Sequence, residues 1–141
     1  RHEIGETREP SLRRALPALV SRFPQSRIER WIRALKDALA DLNDWGRIRY
    51  FLQERDLAGL ALLLAWRPGF YPYLLPELEP AFFDLWCHRD WQGLETARQQ
   101  ALSRLRQTAA QVEALLPEDP EAIPPELAQT LDDYFIKPLG L

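Results

Sequence analysis

Between Ile28 and Leu42 the apolar residues fall at Ile28, Trp31, Ile32, Leu35, Ala38, Leu39 and Leu42. Steps of three and four put them on one stripe of an α-helix, the strongest organising signal in the chain. The stripe ends at Asn43-Asp44, side chains that compete for backbone hydrogen bonds and so favour caps and turns. Gly46 follows. A long amphipathic helix is therefore expected to reach a polar junction here, with a further helical segment from Trp45 to about Arg55. Alanine and leucine dominate as far as Leu64 with almost no β-branched runs, so strands are not expected.

The same logic extends in both directions. Pro10-Ser11 suits the first turn of a helix carrying Leu12, Leu16, Leu19 and Phe23, with Pro17 kinking it or marking a second start. Pro24 ends it, and Ser26 is placed to cap the long helix. Arg67 to Pro80 holds four prolines and a glycine, yet Phe70, Tyr71, Tyr73 and Leu74 are too apolar for a loose loop, so an ordered connection is expected. From Pro80 a helical pattern runs through Phe82, Phe83 and Trp86, with a possible interruption at Asp90 to Gly93. It continues through Trp91, Leu94, Leu102, Leu105, Ala109, Val112 and Leu116, and Pro117 stops it. One more short helix is offered around Glu126 to Ile136. The tryptophans fall mostly on these stripes, which makes core filling their expected role.

The reading is an all-α domain over 1–141, an antiparallel helical bundle of about four main helices plus a short C-terminal one. The bundle spans 10–116, and 117–141 form an acidic, proline-rich tail. A chain of 141 residues with 46% hydrophobic and 28% charged side chains is long and apolar enough for one core. The longest apolar run, Leu57 to Trp66, is about ten residues, too short to span a bilayer. No apolar segment follows Arg1-His2, so no signal peptide is expected within these residues, and the missing initiator methionine suggests either a piece of a longer protein or a renumbered chain. A single cysteine, Cys87, fits a reducing, cytoplasmic setting, and with only His2 and His88 beside it no metal site is expected. Cys87 is expected to be a buried thiol next to an interfacial imidazole, His88.

Charge is the informative property. The net charge of −3 hides an asymmetry. From Pro10 to Lys36 the bases Arg13, Arg14, Arg22, Arg27, Arg30, Arg33 and Lys36 meet one acid, Glu29, whereas Glu113 to Asp133 holds acids and no base. Arg27, Arg30 and Arg33 belong on the outer face of the long helix, where Arg33 and Asp37 form an i, i+4 pair and a solvated face suffices. Two arginines fall on buried stripes instead: Arg98 among Trp91, Leu94, Leu102 and Leu105, and Arg49 among Trp45, Ile48 and Leu52. A guanidinium facing inward is either paired internally, with Asp37, Asp41 or Asp44 as candidates, or lines a basic groove able to hold an anion in bidentate fashion. No glycine-rich phosphate loop, nucleophile with a histidine partner or helical histidine pair is present, so no enzyme and no cofactor is expected.

The segment from Leu35 to Asp44 (LKDALADLND) resembles the leucine-rich helix end in the second half of CHAD domains, α-helical domains of bacteria and archaea. Leu12-Arg13-Arg14-Ala15-Leu16 and the stretch Trp91 to Leu105 resemble that family's other helices. The resemblance covers roughly Leu12 to Leu116. It implies a helical bundle whose basic groove binds inorganic polyphosphate or a similar polyanion, in some proteins beside a triphosphate-tunnel (CYTH) catalytic domain. By position it implies Arg13 and Arg98 as anion contacts, with Arg14 beside them. Together with Arg49 these make Arg13, Arg14, Arg49 and Arg98 the expected polyanion-binding set. The chain is long enough for one of the two helical halves of such a domain, so a missing upstream half or a homodimer is expected to complete it. Nucleic acid and membrane are not expected partners. The alternatives are a helical module for protein–protein contact or dimerisation, and an accessory domain of a CYTH-type triphosphatase.

Overall fold

The computed structural model describes residues 1–141, and its regular elements are all helical. In chain order they are α1 (His2–Arg8), α2 (Ala15–Arg22), α3 (Arg27–Leu42), α4 (Arg47–Glu54), α5 (Leu57–Ala65), α6 (Tyr71–Leu74), α7 (Leu78–His88), α8 (Trp91–Leu115) and α9 (Leu127–Leu131). The fold is an all-α bundle, more finely divided than four main helices. No helix is long and apolar enough to cross a membrane.

Local chemistry sets the boundaries. Ser26 Oγ accepts the Glu29 backbone N–H at 3.1 Å and starts α3, as its position in the sequence predicts. Asp56 and Asp90 cap α5 and α8 in the same way through Gly59 and Gly93. The interruption between α7 and α8 is real: Arg89 is left-handed at φ 59°, and Asp90 opens the new helix. The helix foreseen from Pro10 starts later, at Ala15, because Leu12 takes φ 66° and the Glu9 carboxylate accepts the Ser11 N–H and hydroxyl. The Lys36 ammonium donates to the carbonyls of Glu9 (2.8 Å) and Ser11 (3.0 Å), pinning that turn onto α3.

The sequence reading missed α1 altogether. Its short apolar content gives no stripe, and it is held instead by close backbone approach. A Cβ on Gly5 would lie 2.1 Å from the Ala40 carbonyl oxygen of α3, and Asn43 Nδ2 donates to the Gly5 carbonyl at 2.7 Å. The clash is with backbone, so it cannot be relieved by turning a side chain. Gly5→Ala is expected to cost about 1–3 kcal/mol by forcing α1 off α3. Urea unfolding checks this, and an unchanged midpoint would refute the close packing.

α3 lies at the centre, with Trp31, Ile32, Leu35, Ala38, Leu39 and Leu42 fully buried. α1, α2, α4, α6 and α8 all pack on it. The C-terminal segment closes over the same helix: Phe135 stacks on Trp31 with ring centroids 5.6 Å apart, and Ile123, Leu127, Leu131 and Ile136 join the core. Residues 117–141 are thus part of the packed body, with Glu118, Asp119, Glu121, Glu126 and Asp133 turned outward and Asp132 facing Arg27. Core filling holds for Trp31 but not for Trp45, Trp66 and Trp86, which are exposed. Cys87 and His88 are exposed too, because α7 presents that edge to solvent rather than to a neighbour.

Candidate functional site

Every third or fourth residue on the face of α3 opposite the core is charged or small: Arg27, Arg30, Ala34 and Asp37, with Arg33 alongside. Arg30, Arg33 and Asp37 stay exposed on this face, which forms one wall of an open concavity. The connection from Leu63 through Trp66, Arg67, Pro68 and Gly69 to Tyr73 folds across from it, and His2 of α1 and Arg47 of α4 close one end. Pro68 and Gly69, the latter at φ 63°, turn the chain so that α6 returns onto α3. The result is a cavity of about 850 Å³, within the size range of small-ligand sites.

One end is anchored by Asp41, a fully buried carboxylate. Arg47 donates to it through Nε and Nη2, both at 2.7 Å, the Tyr71 hydroxyl donates at 2.6 Å, and His2 Nδ1 lies 2.9 Å away. Burial alone would raise the Asp41 pKa, but the bonds from Arg47, Tyr71 and His2 outweigh it and hold the carboxyl below its usual range. Burial, then the Asp41 charge and hydrogen bond, push the Tyr71 phenol well above its ordinary value. Asp37, 3.7 Å from His2 Nε2, is also pushed up by burial, with His2 opposing the rise.

The rest of the lining is cationic. Arg27, Arg30, Arg33, Arg47 and Arg67 face one acidic side chain, Asp37, and Arg27 Nη2 donates to the Leu141 oxygen at 2.6 Å. Arg47 is neutralised by Asp41, and Arg27 lies 3.4 Å from Asp132. Arg33 pairs backwards with Glu29 at 2.9 Å rather than forwards with Asp37, because Glu29 is held by the Gln25 N–H at the start of α3. Arg30 has no carboxylate partner. Arg67 has none either: its Nε donates to the Leu64 carbonyl at 2.7 Å, while its Nη1 is buried without an acceptor. Burial depresses the Arg67 pKa, only partly offset by Tyr71 and Glu79. A cation in this position gains from any anion that enters.

The four arginines expected from the sequence do not meet in one groove. Arg98 is 2% exposed and spends its donors internally, on both Glu95 oxygens (2.8 Å each), on Asp44 (3.1 Å) and on the Leu42 carbonyl. Of the candidate partners, Asp44 is the one it takes, and Glu95 adds the main pair. Arg49 shares that Glu95 at 3.2 Å. Arg14 lies elsewhere, paired with Glu113 at 3.5 Å and donating to the Leu116 and Pro117 carbonyls, with Arg13 exposed beside it. At about 1.5 Å per residue, Arg98 and Glu113 are separated by roughly 22 Å along α8. No group of three or more His, Cys, Asp or Glu side chains is placed to hold a metal ion.

Residues 1–133 match the family described as "Family of unknown function (DUF6866) C-terminal domain". No curated protein and no solved structure matches the chain.

Proposed function

The chain belongs to the DUF6866 C-terminal domain family, and for this member of it we propose non-catalytic binding of a phosphate-bearing polyanion in the arginine-lined cavity between α3 and the α5–α6 connection. The supporting observation is that five guanidiniums line a concavity with one acidic side chain, and two of them, Arg30 and Arg67, carry no carboxylate partner. Guanidinium pairs suit the oxygens of phosphate, and a wet concavity of one sign focuses the field on an entering anion. The polyanion reading made from the sequence is kept, and its residues move. Arg30, Arg33 and Arg67 take the contacts, while Arg98 and Arg49 hold the fold.

The test is calorimetric titration of the chain with inorganic tripolyphosphate at low and at moderate salt. Binding is expected, weakened by roughly one to two orders of magnitude between 50 and 200 mM salt, by analogy with phosphate contacts in nucleic acids. Arg30→Ala/Arg67→Ala should weaken it at least about tenfold, and Arg13→Ala/Arg14→Ala should leave it unchanged. Loss of binding in the second variant and not the first would move the site to the cleft beside Pro17. Absence of binding at low salt would leave the protein-contact reading, which draws on exposed Leu62, Phe83 and Trp86 of α5 and α7, none of them lining the cavity.

A further inference from the structure

The arginine cavity has a second character. Trp66 is 81% exposed and Tyr73 47% exposed, and both line it. The other exposed tryptophans have partners: the Arg8 guanidinium lies 5.2 Å from the Trp45 ring, and Phe82 lies 6.4 Å from Trp86, while the exposed rings of Phe83 and Tyr134 lie outside the cavity. Trp66 and Tyr73 have neither a ring nor a guanidinium against them. Trp66 follows α5 and Tyr73 lies in α6, on either side of a short connection containing Pro68 and turned at Gly69, so little conformational freedom is lost when a ligand fills the cavity they line.

Resting on the phosphate reading above, we propose that the ligand is a nucleoside polyphosphate, with its phosphates on Arg30, Arg33 and Arg67 and its base stacked against Trp66 and Tyr73. An inorganic phosphate chain would leave both rings in water, whereas every nucleobase offers a π-face to an indole or phenol. A cavity of about 850 Å³ accommodates a base and sugar as well as phosphates. A single-stranded nucleic acid would instead follow a long basic track. Here the net charge is −3, Glu113 to Asp133 contributes acids without a base, and the arginines outside this cavity sit in separate clefts, Arg13 and Arg14 in one and Arg49 and Arg98 in another, rather than along one continuous track.

The intact chain is titrated in parallel with ATP, with tripolyphosphate and with a single-stranded oligonucleotide. ATP is expected to bind about tenfold more tightly than tripolyphosphate, the order of one base–aromatic stack. Trp66→Ala should abolish that advantage and leave tripolyphosphate affinity unchanged, and Trp66→Phe should retain most of it. Because Trp66 is exposed, neither variant threatens the fold. ATP binding no tighter than tripolyphosphate, or Trp66→Ala weakening both equally, overturns the nucleotide inference while leaving the phosphate site standing. Tighter binding of the oligonucleotide overturns it in favour of a strand. If neither ATP nor tripolyphosphate binds, the phosphate reading itself falls.

Discussion

Replacing Asp41 with alanine is expected to destabilise the protein by about 3–5 kcal/mol, since it strips one buried carboxylate from three partners at once. Arg47, Tyr71 and His2 would all lose their acceptor, and the guanidinium would be left with its charge uncompensated. For a domain of this size the loss corresponds to a fall in Tm of roughly 10–20 °C. Asp41→Asn keeps an acceptor for Tyr71 and should fall between the two. The same carboxylate gives stability a pH dependence. Its folded pKa lies below the ordinary aspartate value of 3.8, so the unfolded chain takes up the proton first. This stabilisation is fully present above that value and is lost as pH falls through the folded pKa. Thermal denaturation across the acid range checks both statements: Asp41→Ala should flatten the acid limb, and a wild-type-like limb in the variant would refute the assignment.

Arg98→Ala is expected to be comparably costly, about 3–4 kcal/mol, and to act through stability rather than through ligand binding. The guanidinium ties Glu95 of its own helix to the end of α3 through the Leu42 carbonyl and to Asp44. Its removal leaves a buried carbonyl without that donor and deprives Glu95 of its bidentate partner. Arg49 and Gln99 remain on Glu95, which sets the lower limit of the loss. Its aliphatic stem is buried with the rest of the side chain on the α8 face that carries Leu94 and Leu102, so Arg98→Met should recover part of the difference. Chemical denaturation measures both variants. If Arg98→Ala kept full stability but lost tripolyphosphate binding, the anion contact suggested by the resemblance would replace the structural role described here.

Much of the scaffold could be read from local chemistry. The stripe of α3, the Ser26 cap and the break at Asp90 each depend on neighbours a few residues apart, which is the range over which helical periodicity and capping act. The polar hub could not be read that way, because Asp41 takes partners from α1, α4 and α6, and Asp41 by itself looks like one more acid near a helix end. Arg98 was conspicuous because it interrupts an apolar stripe, yet the same inward position suits an ion pair or a groove, and the Glu95 pair three residues away could not be read from the stripe. Arg67 gave no signal at all. It sits in a proline-rich connection without periodicity, and its importance arises only when that connection folds over Arg30 and Arg33. Those two look like an ordinary solvated face until the opposite wall is in place.

The central position of α3 also sets an order of events. Its faces are covered by elements drawn from both ends of the chain, and the ring that covers Trp31 belongs to Phe135, roughly a hundred residues later. At about 5–20 residues per second, a ribosome needs on the order of 5–20 s to deliver that cover after Trp31 has been made. During this interval α1, α2, α4 and α6 can pack on α3, but the Trp31 ring lacks the Phe135 ring that finally stacks on it. The nascent protein therefore depends on the acidic C-terminal segment to finish its core, and a chain released before Phe135 emerges would present the Trp31 surface to whatever it meets first.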